Sequence, residues 1–74
     1  MKKRIINVIN EIRADIEFNE NTKFIEEGIF DSFDIVNLVS ELDTEFNISI
    51  DGVKIRPEYF NSVDDIMKLV MESA

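Results

Sequence analysis

The sequence predicts an all-α fold, a small four-helix bundle of three longer helices and one short one, with a long first loop. Three observations predict it. Apolar residues recur at helical spacing in three separate segments, helix-start signals precede those that follow the loop, and 74 residues leave room for only one core. The expected organisation is a single domain over residues 1–74.

The first helical set is Ile5, Val8, Ile9, Ile12 and Ile16, which share one face at 3.6 residues per turn. The second is Ile35, Leu38, Val39, Leu42 and Phe46, with Asp31 or Ser32 available as its N-cap. The last is Val63, Ile66, Met67 and Val70, where Ser62 followed by Asp65 resembles a capping box. Pro57 suits the first turn of a short helix over about Glu58 to Phe60, because its missing N–H would be unpaired there anyway.

The first connection, Glu17 to Asp31, is long for a compact domain, and a structureless loop of that length is uncommon unless it is functional. Phe18, Phe24, Ile25 and Ile29 are expected to pin it to the core, and Gly28 to supply a turn that a Cβ would resist. Residues 48–55 carry Asp51-Gly52 between alternating apolar residues, a hairpin signal. Two isolated strands are marginal in water, so an extended loop is preferred over a short hairpin there. Its apolar residues should pack beneath the helices in either form.

Apolar residues make up 45% of the chain, enough for a packed interior, yet no run approaches the roughly 18 consecutive apolar residues that a bilayer span requires. A soluble protein without membrane insertion is expected, with monomer as the default state. Met1 to Asn7 begins basic and then alternates apolar with polar residues, unlike a signal peptide. The absence of cysteine fits a reducing cytoplasm and excludes thiolate chemistry by the chain itself.

A net charge of −8 argues against nucleic acid as a partner, since binding a polyphosphate rests on Lys and Arg releasing counterions. The acid is unevenly placed. Between Phe24 and Val53 there is no Lys or Arg, while Glu26, Glu27, Asp31, Asp34, Glu41, Asp43, Glu45 and Asp51 all fall there. Such a block is a solvated face or a field that steers a basic partner.

The stretch Gly28-Ile29-Phe30-Asp31-Ser32-Phe33-Asp34 places a serine at the expected start of the second helix. A helix start has unpaired N–H groups and partial positive charge, which suits a phosphodiester on that serine hydroxyl. With no His and no Cys, the serine lacks the usual internal base and reads as the recipient of another enzyme's chemistry. Asp43, Glu45 and Asn47 alternate like the start of a calcium loop, but Ile48 and Lys54 stand where Gly and Glu are needed, so no metal site is expected.

Taken together, Gly28-x-x-Asp31-Ser32-Phe33, a helix with Leu38, Leu42 and Phe46, then Pro57 and Val63-x-x-Ile66 resemble an acyl carrier protein over nearly the whole chain. The resemblance implies a non-catalytic carrier. A phosphopantetheinyl transferase would attach 4′-phosphopantetheine from coenzyme A to Ser32, and acyl or aminoacyl groups would ride on the arm's thiol as thioesters. It also implies that Asp31, Asp34, Glu41 and Glu45 are acidic contacts, and Phe33 and Val36 apolar contacts, for loading ligases and acyl-processing enzymes with basic surfaces.

Phe33 replaces the leucine usual after the serine, and Asn37 and Ser40 depart from the commonest fatty-acid pattern. A D-alanyl carrier for cell-wall polymers, or a carrier for a specialised acyl or peptide pathway, fits as well as a fatty-acid carrier. Two readings of other classes stand beside it. One is an unmodified acidic adaptor that binds a basic helix or groove. The other is a small enzyme using Glu26 and Glu27, or Asp31 and Asp34, as paired carboxylates, which so short a chain can hardly enclose.

Overall fold

The computed structural model describes residues 1–74, all of the chain, as a helical bundle without strands. Helix α1 runs Lys2–Ile12, α2 Ser32–Phe46 and α3 Val63–Ser73, with 3-10 turns at Gly52–Lys54 and Pro57–Tyr59 between the last two. Helix α1 packs against both α2 and α3, and the Pro57–Tyr59 turn lies against α3.

Fifteen apolar residues form one buried cluster. Each long helix contributes its predicted stripe: Ile5, Val8 and Ile9 from α1, Ile35, Leu38, Val39 and Leu42 from α2, Val63, Ile66 and Val70 from α3. Leu69 and Phe30 are also buried, although neither was assigned to the core from the sequence.

Polar contacts tie the ends of α1 to opposite ends of α2, which makes the pair antiparallel. Arg4 donates from Nε to Glu45 Oε2 at 2.8 Å and from Nη2 to the Glu45 carbonyl at 2.6 Å, and its guanidinium lies 4.4 Å from the Phe46 ring centroid. The last turn of α2 has no base of its own, so α1 supplies the cation that its carbonyl end favours. Asn47 then ends α2 at φ 54°, a left-handed conformation that Asn tolerates.

One element, α1, differs from expectation. Helix α1 stops at Ile12, leaving the half-buried Ile16 outside it, because Arg13 leaves helical geometry (φ −130°, ψ 72°) and turns its side chain to the start of α2. Residues 48–55 form no hairpin, in line with the preferred loop, and a 3-10 turn at Gly52–Lys54 interrupts that loop. The Asp51 side chain accepts from the Val53 N–H and starts a 3-10 turn, while Asp43 Oδ1 accepts from the Ile50 N–H at 3.0 Å. Both bonds direct the backbone away from cross-strand pairing. Only Ile50 is buried there; Val53 is 68% exposed, so the expectation that every apolar residue of this stretch packs inward does not hold.

The Pro57 start is a three-residue 3-10 turn, the short fourth element of the bundle. Before α3, Ser62 accepts from the Asp65 N–H at 3.1 Å, the forward half of a capping box.

The long first loop is held at several points. Phe24 is fully buried, stacks on Phe30 and meets Phe18 edge-on, with Ile25 and Ile29 half-buried beside the core. Asn61 secures it from the far end of the chain: its carbonyl accepts from the Phe24 N–H, and its Oδ1 accepts from the N–H groups of Ile25 and Glu26. Gly28 adopts φ +70°, the region that favours glycine, and turns the loop toward α2.

Candidate functional site

Ser32 is the first residue of α2 and is exposed. The turn before it is built by Asp31, whose Oδ1 accepts from the Asp34 N–H at 2.9 Å, while Asp34 Oδ2 accepts from the Asp31 N–H at 3.3 Å. This reciprocal capping box satisfies two backbone donors and fixes the helix start, an arrangement worth about 1 kcal/mol per cap. The backbone N–H groups of Ser32 and Phe33 make no hydrogen bond within the chain. Ser32 therefore stands in an electropositive first turn with donors to spare.

Of the six residues named beside Ser32, five are exposed: Asp31, Phe33, Val36, Glu41 and Glu45. Phe33 and Val36 are 73% and 59% exposed, a large apolar area for a chain this small. Asp34 differs. It is only 8% exposed, and its carboxylate is taken up by Arg13 and the Asp31 N–H, so it does not present an acidic contact to a partner. Its position in the first turn, on the side facing α1, accounts for the difference. Glu45 is exposed but already paired with Arg4, whereas Glu41 forms no ion pair.

Arg13 is the residue that sequence reasoning missed. Its Nη1 donates to Asp34 Oδ2 and to the Ile29 carbonyl, both at 2.8 Å, and Nε and Nη2 hold Asp15 at 2.9 and 3.0 Å. These hydrogen bonds, Asp15 first and then Asp34, raise the Arg13 pKa above its usual range against the opposing effect of burial. The same contact from Arg13 pulls the Asp15 carboxyl below its usual value. A signal was present in the sequence: between Arg4 and Lys54 the only bases are Arg13 and Lys23.

No group of three or more acidic, His or Cys side chains is arranged to hold a metal. The surface depressions have mixed linings. One lies among Lys54, Glu58, Tyr59, Asp65, Lys68 and Glu72, one among Glu11, Ile12, Asn37 and Glu41, and one is bounded by Ile25, Glu26, Pro57 and Asn61. No helix is long and apolar enough to cross a membrane.

The chain is thus a small helical bundle with an exposed serine at a capped helix start. Known proteins are similar to it over most of its length. A D-alanyl carrier protein of Lactococcus lactis subsp. cremoris (strain MG1363) is 34% identical over 74 residues, spanning 97% of this chain and 94% of its own. The D-alanyl carrier protein of Streptococcus suis (strain 05ZYH33) is 29% identical over 97% of this chain and 92% of its own. Aminoacyl carrier protein 1 of Bradyrhizobium diazoefficiens is 31% identical over 96% of this chain and 82% of its own. No protein-family model matches the chain, and no solved structure matches it. The chain belongs to the carrier protein family, whose members here include D-alanyl and aminoacyl carrier proteins.

Proposed function

We propose that Ser32 carries a 4′-phosphopantetheine arm and that the arm carries aminoacyl or small acyl groups as thioesters. The observation that supports this reading is the exposed Ser32 hydroxyl in the first turn of α2, beside the unpaired N–H groups of Ser32 and Phe33. In the transfer, Ser32 Oγ attacks the phosphorus of coenzyme A that bears the pantetheine. A phosphodiester forms, adenosine 3′,5′-bisphosphate leaves, and the serine proton passes to a base supplied by the transferase. The carrier offers neither His nor Cys for that step, and in this reading it is the substrate of the transferase. The resulting phosphodiester sits where the helix dipole favours negative charge.

The exposed Phe33 and Val36, with Asp31, Glu41 and Glu45 around them, suit docking by the transferase, a loading ligase and acyl-processing enzymes with basic surfaces. An aminoacyl cargo such as D-alanine is favoured over a long acyl chain by the names of the relatives. A monomer working in the cytoplasm, where coenzyme A is available, completes the reading.

The test is intact mass after incubation with coenzyme A and a broad-specificity transferase. One phosphopantetheine is gained, and none by Ser32→Ala. Failure of the native chain to gain mass favours the unmodified acidic adaptor.

A further inference from the structure

We propose that Arg13, at the end of α1, is a positioning residue for the modification of Ser32, an inference that rests on the function proposed above. The segment that enters α2 is fixed at three successive residues. The Ile29 carbonyl accepts from Arg13 Nη1 at 2.8 Å. The Phe30 ring is buried and stacks on Phe24 at 4.4 Å. The Asp31 N–H donates to Asp34 Oδ2, the same oxygen that Arg13 Nη1 holds at 2.8 Å. Arg13 thus grips the segment directly at Ile29 and, through Asp34, at the N–H of Asp31, the residue before Ser32.

Ser32 itself makes none of these contacts, so its direction in space is set by its neighbours. Removing Arg13 strips the almost buried Asp34 carboxylate of its counter-charge. Such a group recovers solvation by turning outward, and the capping box opens with it. The start of α2 then frays by a turn, and the hydroxyl samples orientations that a transferase active site does not accept. Lysine restores the charge but not the planar fork that reaches Asp34, Ile29 and Asp15 together.

A purely structural role would lower stability alone, so the experiment separates stability from presentation. Arg13→Ala, Arg13→Lys and the double variant Arg13→Ala with Asp34→Asn are compared with the native chain well below their melting temperatures, with folding verified by circular dichroism. The carrier is the varied substrate in phosphopantetheine transfer from coenzyme A, and exchange of the Asp31, Asp34 and Ile35 amides, the hydrogen-bonded ones at the helix start, is followed in parallel.

In Arg13→Ala, kcat falls by about tenfold or more, in line with the cost of misplacing a reacting group, while KM for the carrier changes less because Val36, Glu41 and Glu45 lie beyond the frayed turn. Exchange accelerates at the start of α2 and not in α3. Arg13→Lys recovers part of the rate. If Arg13→Ala does not fold, the double variant, which leaves no orphaned charge, folds and is modified slowly. Native rates in any folded variant lacking Arg13, or accelerated exchange spread evenly over all helices, overturn the proposal. A native chain that is never modified overturns instead the assignment of Ser32.

Discussion

The rings of Phe24 and Phe30 stack with centroids 4.4 Å apart and an interplanar angle of 8°, joining the middle of the long loop to the residue two before Ser32. The Phe24 N–H is in turn bonded to the Asn61 carbonyl, so the approach to α2 rests on the entry to α3. Phe24→Ala removes a ring with no exposed surface and should cost about 3–5 kcal/mol, a large part of the stability of so small a chain. The urea midpoint reports this. A loss below about 1 kcal/mol would show that the loop is not anchored through this ring.

Glycine substitutions should act in opposite directions at the two glycines. Gly28→Ala must hold φ near +70° with a Cβ, at a cost of about 1–2 kcal/mol, although open space surrounds the new methyl group. Gly52→Ala meets the same open space without a positive φ, and should be neutral or stabilise by up to about 1 kcal/mol. Thermal melts of the two variants check this, and equal effects would contradict it.

Salt should stabilise the chain despite weakening individual ion pairs. The pairs of Lys2 with Glu20 and Asp64 and of Arg4 with Glu45 are solvent-exposed and individually small, whereas eight uncompensated negative charges repel throughout. Raising ionic strength past the level where the Debye length is about 8 Å should therefore raise the melting temperature and slow docking to a basic transferase. An unchanged melting temperature over the titration would mean that the acids are too dispersed to interact.

Acid sensitivity should include a part that belongs to Asp15. Its folded pKa is below the ordinary 3.8 because Arg13 donates to both its oxygens. Between the two values the unfolded chain binds the proton more readily, so stability rises with pH there. The contribution is complete above 3.8 and disappears as pH falls through the folded value. The stability difference between the native chain and Asp15→Asn should therefore close on acidification. Lys2, raised above 10.5 by hydrogen bonds to Glu20 and Asp64, behaves oppositely: its contribution is complete below 10.5 and lost as pH climbs through the higher folded value. Denaturant titrations across both ranges measure these steps, and pH-independent differences for Asp15→Asn and Lys2→Gln would contradict them.

Much of the bundle was legible because its signals are local. Asp31, Ser62 and Pro57 mark starts by chemistry within one turn, and the stripes of all three helices follow from spacing alone. What was not legible depends on distant partners. Ile16 continues the apolar period of α1, yet Arg13 ends the helix to reach Asp34, 21 residues away. Asp51-Gly52 carries a hairpin signal and the preferred loop holds, but the 3-10 turn within it rests on a side-chain cap on the Val53 N–H and on the Asp43 bond to Ile50. At the site, Ser32 could be placed at a helix start from its neighbours, whereas the inward turn of Asp34 depends on a base just past the end of α1.

The central claim, that the Ser32 hydroxyl is the attachment point, is tested most directly by tandem mass spectrometry of the protein purified from its native cells. The account predicts that the peptide containing Ser32 bears a single phosphopantetheine on that residue, with any cargo joined to its thiol. Finding the group on Ser40, Ser49, Ser62 or Ser73, or finding Ser32 unmodified in protein that supports its pathway, would contradict it.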